Sequence, residues 1–596
     1  MRPIRLGPRD VRLDRREDGT LLLRAPHPLD AYPAALTDRF AHWAQATPTR
    51  TWLARRNAAG AWQELSYGAA WPMLLALGES LLALGLDAER PLLILSENDL
   101  QHGLLAVAAL HAGIPFAAVS PAYALVSRDF AKLRHVVDLL TPGLVFTADA
   151  TRFEAAIRAS VPAKTPLVFT TGALPGYSCR AFDRLLEGAC GVDVAAAHSA
   201  IGADAPAKFL FTSGSTGLPK AVIQTQRMLT SNQQMLVQAL PQLGDTPPVL
   251  VDWLPWNHTF GGNHNFGLTI YNGGSLYIDE GRPVSTQIET TLNNLRDISP
   301  TTYFNVPRGF ELLAPRLRAD AALRQSFFRR LGMLFYAGAG LPQPVWDAFD
   351  ALAQETIGTR VLWVTGLGAT ETAPAATLTT WDGVRSGMIG LPLAGVEIKL
   401  APVRDKLEFC VRGPSVTPGY WRLPALTSAA FDADGFYHMG DAVRLVDSNA
   451  PQQGLLFDGR VAEDFKLTSG TWVNVGPLRA QFLTAAAPYA QDVVITGLDR
   501  GYVAALVIPN LDACRELAPG ELHRHLHSVL ARLARTASGS ANRIERATVL
   551  EAHLSIDRGE LTDKGSVNQA AVLLQHAGAV AAIYAEPPAP HVVTCS

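Results

Sequence analysis

Short runs of continuous apolar residues alternate along this chain with longer segments rich in alanine and leucine. The run PLLILSEN at 91–98 is followed by GLLAVAALHAG at 103–113 and by PGLVFTA at 142–148, and comparable runs recur as far as RVLWVTG at 360–366. Strands that are apolar on both faces belong to sheets covered on both sides, and their alternation with helices is typical of layered α/β folds. The sequence therefore predicts an α/β fold with sheets flanked by helices.

The pattern changes after about Gly459. The segment DVVITGLDRGYVAALVIP at 492–509 indicates a hairpin, and a helical stretch and another strand near 544–550 follow it. Such a mixture is typical of a separate small α+β unit. We therefore expect a large N-terminal domain of several subdomains at 1–458 and a small C-terminal domain at 459–596.

Composition excludes several classes of protein. With 596 residues, 48% hydrophobic and 18% charged, the chain can bury a large core, and its net charge of -3 gives no electrostatic reason to expect a nucleic acid or a membrane surface as partner. Five scattered cysteines without a CxxC pair favour neither disulfides nor zinc. The chain has no apolar leader and no run of 18 apolar residues, so we expect a cytoplasmic protein. Its oligomeric state, monomer or homodimer, stays open.

One segment, FLFTSGSTGLPKAV at 209–222, has the composition of a phosphate-binding loop. KFLF is predicted to be a strand and TSGSTGLPK the loop that leaves it, in which glycines let several backbone N–H groups point at one anion. The spacing fits neither a P-loop nor a nucleophile elbow. A flexible Gly/Ser turn is the alternative. The candidate phosphate ligands are the hydroxyl, glycine and lysine residues Thr212, Ser213, Gly214, Ser215, Thr216, Gly217 and Lys220.

The same loop matches the signature [ST]-S-G-[ST]-T-G-x-P-K of the adenylate-forming (AMP-binding) family, which includes acyl-CoA synthetases, luciferases and peptide-synthetase adenylation domains. Four further segments resemble that family's motifs in the same order, namely VTGLGATET at 364–372, YHMGDAVRL at 437–445, FDGRVAEDFKL at 457–467 and LTDKGSVNQ at 561–569. The resemblance covers nearly the whole chain. It implies an acid ligase that uses ATP, Mg²⁺ and CoA and forms an acyl adenylate.

The resemblance also implies roles for individual residues. Thr370 would contact the α-phosphate, Glu371 would hold Mg²⁺, and Lys564 would bridge the carboxylate and α-phosphate as the catalytic lysine of a mobile C-terminal domain. The remaining candidates are the nucleotide-binding residues Gly338, Ala339, Gly340, Leu367, Gly368, Ala369, Asp441 and Arg460, the hinge residue Ala462, and the CoA-tunnel residues Ser469, Gly470 and Trp472.

Three positions depart from the family pattern. Leu367 stands where an adenine-stacking aromatic residue is usual, Ala462 stands where the hinge is usually Asp or Lys, and Gly470 comes one residue late. These departures leave the timing of domain rotation open.

The segment DWLPWNHTFGGNHNFG at 252–267 occupies the place of the family's substrate-pocket motif. His258 is therefore expected to gate the acid pocket and to take part in catalysis, whereas a metal site formed by His258 and His264 has the wrong spacing for one helix face. The strands YFNVP and YAGAG suggest Tyr303, Phe304, Tyr336 and Gly338 as pocket walls, with core packing as the equal alternative.

Four segments carry a more specific resemblance: TSGSTGLPKAVIQTQRM at 212–228, WLPWNHTFGGNHNFGLTIYNGGSLYID at 253–279, TGLGATETAP at 365–374 and AEDFKLTSGTWVNVGPLR at 462–479. They most resemble the bacterial feruloyl-CoA synthases, which activate hydroxycinnamic acids (ferulate, coumarate, caffeate) in lignin catabolism. An acid–CoA ligase for these substrates is therefore expected. The alternatives are a ligase for another aromatic or medium-chain acid, a ligase that loads a carrier protein, and a non-catalytic nucleotide-binding module.

Overall fold

The computed structural model describes residues 1–213, 217–562 and 565–595, and for Ser213 it describes the backbone alone. The chain divides into two compact units. The first comprises Met1–Leu400, Cys410–Met439 and Leu445–Leu456, and the second comprises Ala401–Phe409, Gly440–Arg444 and Phe457–Ser596. The second unit therefore includes two short segments, Ala401–Phe409 and Gly440–Arg444, that lie before the expected domain boundary between residues 458 and 459.

The strands and helices of the described residues follow one another throughout the chain. The strands are β1 (Arg12–Arg15), β2 (Leu21–Arg24), β3 (Thr51–Arg56), β4 (Trp62–Ser66), β5 (Leu92–Ile94), β6 (Phe116–Ala118), β7 (Leu144–Asp149), β8 (Leu167–Thr171), β9 (Cys179–Ala181), β10 (Pro206–Ser213), β11 (Pro219–Thr225), β12 (Val249–Asp252), β13 (Ser275–Ile278), β14 (Thr302–Asn305), β15 (Met333–Tyr336), β16 (Leu362–Val364), β17 (Thr377–Leu378), β18 (Met388–Pro392), β19 (Glu397–Val403), β20 (Lys406–Arg412), β21 (Tyr437–Leu445), β22 (Leu455–Arg460), β23 (Phe465–Lys466), β24 (Trp472–Val473), β25 (Ala490–Thr496), β26 (Val503–Pro509), β27 (Ile544–Val549) and β28 (Val592–Thr594). The helices are α1 (Leu36–Ala46), α2 (Tyr67–Ala83), α3 (Leu100–His111), α4 (Ala122–Leu125), α5 (Ala131–Leu140), α6 (Ala150–Ser160), α7 (Val194–Ser199), α8 (Gln226–Ala239), α9 (Gln242–Asp245), α10 (Phe266–Asn272), α11 (Ile288–Asp297), α12 (Pro307–Ala319), α13 (Ala321–Arg329), α14 (Gln343–Ile357), α15 (Pro424–Ala429), α16 (Val475–Ala486), α17 (Leu511–Cys514), α18 (Glu521–Thr536), α19 (Gln569–Gln575) and α20 (Ala577–Ile583).

The first unit contains a sheet with the strand order β11-β10-β6-β5-β7-β8-β9 within the described residues. Its strands are parallel except for the antiparallel pair β10 and β11. β5 is buried throughout, and α3 buries every residue except Gln101, because its alanines and leucines present an apolar surface on all sides. These continuous apolar strands with helices packed between them confirm the predicted α/β fold.

Two further sheets of the first unit carry the central part of the chain. One has the order β12-β13-β3-β4, and the other is the parallel sheet β14-β15-β16. A core that includes Phe310, Phe327, Phe349 and Trp363 joins the latter sheet to α12, α13 and α14. Because the three strands are parallel, the loops after β14, β15 and β16 leave from the same edge, where α/β sheets bind their ligands.

The second unit is a small α+β body. Its sheet has the order β25-β26-β27-β28 in the described residues, and α18 packs on it through Leu526, Val529 and Leu530, which lie on one helix face. Lys406 and Asp464 form a buried ion pair 2.5 Å long, and Asp464 also accepts from the backbone N–H of Val475 at the start of α16. Among the described residues, no helix combines the length and apolar character needed to cross a membrane.

Candidate active site

The predicted phosphate loop is a hairpin whose strands extend further than expected. β10 runs to Ser213 and β11 begins at Pro219, so that Thr212 pairs with Lys220 and Ser213 with Pro219. The prediction that Thr212, Ser213 and Lys220 belong to a loop is therefore wrong, because the antiparallel pairing of β10 and β11 continues as far as Ser213 and Pro219. Gly217 has φ +84°, a conformation that favours glycine. The candidates Gly214, Ser215 and Thr216 and the side chain of Ser213 lie outside the described residues.

Lys220 lies in a polar cluster with Glu371 and Tyr420. Its Nζ donates to the Tyr420 hydroxyl at 2.6 Å and lies 3.3 Å from Glu371 Oε1, and the Tyr420 hydroxyl donates to the same oxygen at 3.1 Å. The Tyr437 hydroxyl lies 3.4 Å from that of Tyr420. The sequence predicted the lysine and the glutamate but neither tyrosine as a site residue.

Burial shapes the electrostatics of this cluster. Glu371 is only 5% exposed. Burial, together with the nearby Glu371 charge, raises the pKa of Tyr420 and that of Tyr437, so both hydroxyls remain protonated donors. A buried carboxylate held by hydroxyls is the hard oxygen ligand that Mg²⁺ prefers, and the donor chemistry of Glu371 therefore fits that ion.

The segment that contains Thr370 follows β16 and turns sharply. Gly366 and Gly368 lie so close to a neighbouring strand segment that a Cβ atom would come within 2.0 Å of Thr377 O and 1.8 Å of Pro374 O, respectively. A 3₁₀ turn at Thr370–Thr372 then buries the threonine and glutamate side chains. Of the nucleotide-binding candidates here, Gly368 is exposed, and Leu367 and Ala369 are half-buried.

The candidates Gly338, Ala339 and Gly340 lie in the loop after β15. All three are exposed, and Gly338 has φ +87°. This loop leaves the parallel sheet at the same edge as the segment of Thr370, since β15 and β16 are adjacent. The candidates Gly338, Ala339 and Gly340 and the Thr370 segment thus lie at one edge of the sheet β14-β15-β16.

Gln224, on β11, connects this edge to the predicted acid pocket. Its Nε2 donates to Thr370 O at 3.0 Å, and its Oε1 accepts from Asn263 Nδ2 at 2.8 Å. Asn263 donates in turn to Thr259 Oγ1 at 3.1 Å. One buried amide side chain therefore connects the backbone of the Thr370 turn with the segment around His258.

That segment contains a π-helical turn at Phe260–Asn265, an irregularity often found at functional sites. Gly261 and Gly262 allow it, because a Cβ atom on either would come within 2.5 Å of Leu254 O or 2.2 Å of Trp256 O. The half-buried His258 accepts the backbone N–H of Phe260 at its Nδ1, at 3.3 Å.

His264, on the same turn, is 3% exposed, and three phenylalanine rings surround it. Its ring centroid lies 5.7 Å from that of Phe260, 5.1 Å from Phe304 and 5.0 Å from Phe335. Burial lowers the pKa of His264 to about 4, so its ring is neutral at pH 7. His258 and His264 do not belong to any group of three or more metal-ligating side chains in the described part of the chain.

Tyr303 and Tyr336 do not face this turn. Tyr303 packs on Phe310 and Phe327, and Tyr336 packs on Trp346 and Trp363 in the core below the sheet. Both are 2% exposed. Their expected place in the acid pocket is therefore wrong, because successive strand residues point to opposite faces and these two point at α12–α14.

The remaining predicted residues belong to the second unit. Arg460 Nε lies 3.2 Å from Asp441 Oδ1, and burial raises the pKa of Asp441 while the arginine opposes that shift. Ala462 is exposed. Ser469 and Gly470 lie between the paired strands β23 and β24, and Trp472 on β24 contacts the guanidinium of Arg404 at 4.1 Å. The predicted catalytic Lys564 lies outside the described residues.

Two protein families match this chain. A family described as "AMP-binding enzyme" matches residues 40–421, and one described as "AMP-binding enzyme C-terminal domain" matches residues 465–587. Since the first match alone covers more than half of the chain, the protein belongs to the AMP-binding enzyme family.

Curated relatives of the chain include ligases and reductases. A carboxylic acid reductase of Segniliparus rugosus is 26% identical over 410 residues, covering 65% of this chain and 33% of the relative. The probable CoA ligase CCL8 of Humulus lupulus is 25% identical over 382 residues, or 59% of this chain and 60% of the relative. The long-chain-fatty-acid–CoA ligase FadD15 of Mycobacterium bovis is 24% identical over 584 residues, or 88% and 93%. The chain thus spans about a third of the reductase and less than two thirds of the Humulus ligase.

Solved structures share the fold at low identity. The adenylation domain of the Segniliparus rugosus reductase, in complex with AMP and a co-purified carboxylic acid, has a TM-score of 0.71 at 18% identity over 92% of this chain and 94% of that domain. The anthranilate CoA ligase AuaEII, in complex with anthranoyl-AMP, has a TM-score of 0.70 at 17% identity, with 93% and 99% covered.

Proposed function

We propose that this protein is an ATP-dependent carboxylic acid–CoA ligase that acts through an acyl adenylate. An oxygen of the acid's carboxylate attacks the α-phosphorus of ATP and the bond to pyrophosphate breaks. The thiol of CoA then attacks the acyl carbon, and AMP leaves. The observation that carries the proposal is the cluster of Lys220, Glu371 and Tyr420 at the ligand-binding edge of the sheet.

The residues of this cluster have the chemistry that adenylation requires. Phosphoryl transfer asks a protein mainly to position the reactants and to neutralise charge. Lys220 would supply a cation close to the departing pyrophosphate, and Thr370 would contact the α-phosphate. Glu371 would hold Mg²⁺, which neutralises phosphate charge when bound.

The second unit would supply the other half of the chemistry. In this proposal the C-terminal domain at 459–596 moves about Ala462, Lys564 acts in adenylation, and Ser469, Gly470 and Trp472 line the CoA path. Asp441 and Arg460 would hold the ribose. A cytoplasmic location suits these substrates, and neither a nucleic acid nor a membrane partner is proposed.

The acceptor of the acyl group, free CoA or a carrier protein, distinguishes this proposal from its closest alternative. Names among the relatives include both CoA ligases and carboxylic acid reductases, so an enzyme that passes the acyl group to a carrier protein is the second candidate. We expect acid-dependent ATP–pyrophosphate exchange, and thioester formation on addition of free CoA. Exchange without CoA thioester would favour the carrier alternative. Absence of exchange with every acid would favour a non-catalytic nucleotide-binding module.

For the acid, we propose hydroxycinnamates such as ferulate, coumarate and caffeate. The support is the resemblance of the sequence to feruloyl-CoA synthases, together with the aromatic surroundings of the π-helical turn, where Phe260, Phe304 and Phe335 lie. The test is a panel of kcat/KM values for hydroxycinnamates, benzoates and medium-chain fatty acids with ATP, Mg²⁺ and CoA. If octanoate or benzoate exceeds every cinnamate tenfold, about 1.4 kcal/mol in transition-state binding, the hydroxycinnamate proposal fails.

A further inference from the structure

Three buried hydrogen-bond acceptors without a donor lie on the π-helical turn or on a side chain bonded to it. His264 Nε2, Asn263 Oδ1 and Gln233 Oε1 are all buried and have no hydrogen-bond partner within the described residues. A buried polar atom left unpaired costs about 1–3 kcal/mol, so native proteins rarely keep several side by side. A ligand that brings a donor would relieve this cost.

The hydrogen bonds of His264 determine which of its nitrogens can accept. Nδ1 lies 2.9 Å from Asn265 Oδ1, and the amide group of Asn265 donates to Asp252 Oδ2 at 2.9 Å. The oxygen of Asn265 therefore faces the ring, and Nδ1 must be the protonated nitrogen. Since the ring is neutral, its Nε2 carries a lone pair.

The ring of His264 is surrounded by aromatic side chains. The rings of Phe260, Phe304 and Phe335 pack around His264 and against one another. Aromatic faces accept another planar ring well, and an unpaired acceptor among them discriminates strongly in favour of a ligand with a donor.

The turn is also connected to the adenylation motif. Asn263, the neighbour of His264, is separated from the backbone of Thr370 by the side chain of Gln224 alone. A ligand whose carboxylate reacts beside Thr370 can therefore direct its other end toward the turn that carries His264.

We propose that His264 is a specificity-determining residue whose Nε2 accepts a hydrogen bond from a ring hydroxyl of the acid substrate. This inference rests on the proposed function and assigns to one residue the recognition of the ring hydroxyl that ferulate, coumarate and caffeate share. Unsubstituted and O-methylated analogues offer no donor at this position and leave Nε2 unpaired among the phenylalanine rings.

The test compares acids that differ only at the ring position. We would measure kcat/KM in ATP–pyrophosphate exchange for 4-hydroxycinnamate, 4-methoxycinnamate and cinnamate. The wild-type enzyme is expected to favour 4-hydroxycinnamate at least about tenfold. His264→Phe should bring that ratio close to one. His264→Gln, which restores an acceptor, should recover part of the preference.

His102→Phe is the matched control. His102 is also a buried histidine of the first unit, but its Nδ1 donates to Glu97 O at 3.1 Å and its ring packs on Trp256. This variant should keep the wild-type ratio, and thermal melting of all variants would identify any that fail to fold. A wild-type ratio below about twofold, or an unchanged ratio in His264→Phe, overturns the assignment.

Direct binding separates this inference from the proposed function. If no acid supports exchange, the ligase proposal fails, and calorimetric titration of the same three acids into wild type and His264→Phe still decides the role of His264. Tenfold tighter binding of the hydroxylated acid that disappears in the variant supports it. Equal binding of the three acids by both proteins, or no binding, overturns it.

Discussion

Replacement of Lys208 by methionine is expected to stabilise the protein in a pH-dependent way. Lys208 is 4% exposed on β10, where its Nζ donates to Gly262 O at 3.0 Å and lies 5.6 Å from the ring of Phe116. Burial lowers the pKa of this ammonium group from 10.5 to about 7. Between these values the unfolded chain binds a proton that the folded chain does not.

The sign and size of the pH effect on the free energy of unfolding follow from this difference in proton binding. Stability rises with pH wherever the unfolded state binds more protons, so the free energy of unfolding of the wild type should rise between pH 7 and 10.5 through this group. Each pKa unit corresponds to about 1.4 kcal/mol, and the penalty is therefore about 4 kcal/mol at pH 7 and about 2 kcal/mol at pH 9. The lost hydrogen bond costs about 1 kcal/mol, which is subtracted from these penalties. Lys208→Met should therefore be more stable than the wild type by about 3 kcal/mol at pH 7 and about 1 kcal/mol at pH 9.

Urea denaturation followed by tryptophan fluorescence measures these values. Of the 11 tryptophans, all but Trp472 belong to the first unit, so the signal reports mainly on the unit that contains Lys208. Lys164→Met, at an exposed position, is the control. A stability difference between Lys208→Met and wild type that is the same at pH 7 and pH 9 would refute the reasoning. The variant should also raise KM for the acid, since the Gly262 carbonyl loses its donor.

Three other substitutions test the site and its scaffold. Glu371→Gln should lower acid-dependent pyrophosphate exchange about 10²-fold at saturating Mg²⁺ because the proposed metal ligand loses its charge, and unchanged exchange would exclude that role. Lys564→Ala should slow exchange about 10³-fold yet still convert a supplied acyl adenylate to thioester, whereas equal loss of both half-reactions would contradict the assignment. Gly262→Ala should lower the melting temperature by an amount that corresponds to about 3 kcal/mol, because its Cβ atom would lie 2.2 Å from Trp256 O, and the unhindered Gly202→Ala should melt like wild type.

Much of the fold could be predicted because its signals are local. Continuous apolar strands and Ala/Leu-rich helices are visible within single segments, and the motif that contains Thr370 and Glu371 is contiguous in sequence. The position of Tyr303 could not be predicted in this way, since an apolar strand covered on both faces does not indicate which face meets the ligand. The helices that cover Tyr303 come from later in the chain.

The residues that sequence reasoning missed reach the site through tertiary structure. Tyr420 lies 49 residues from Glu371 in sequence, and only folding brings its hydroxyl to that carboxylate. Gln224 did leave a signal, because it is an amide within an apolar strand predicted to be buried, and such a residue needs a buried partner. His264 was considered only as a metal ligand, and its role as an acceptor depends on hydrogen bonds that the sequence does not reveal.

The close packing of Gly261 and Gly262 restricts how this enzyme can diverge. Neither position can gain a side chain without displacing backbone carbonyls of Leu254 or Trp256, so natural or laboratory selection for new acids cannot proceed by filling the pocket there. Variation must instead come from exchange of the side chains at Phe260 and His264 and on the facing strands. A mutagenesis library for altered substrate range should therefore keep both glycines and randomise those neighbours, so that few variants need to be screened.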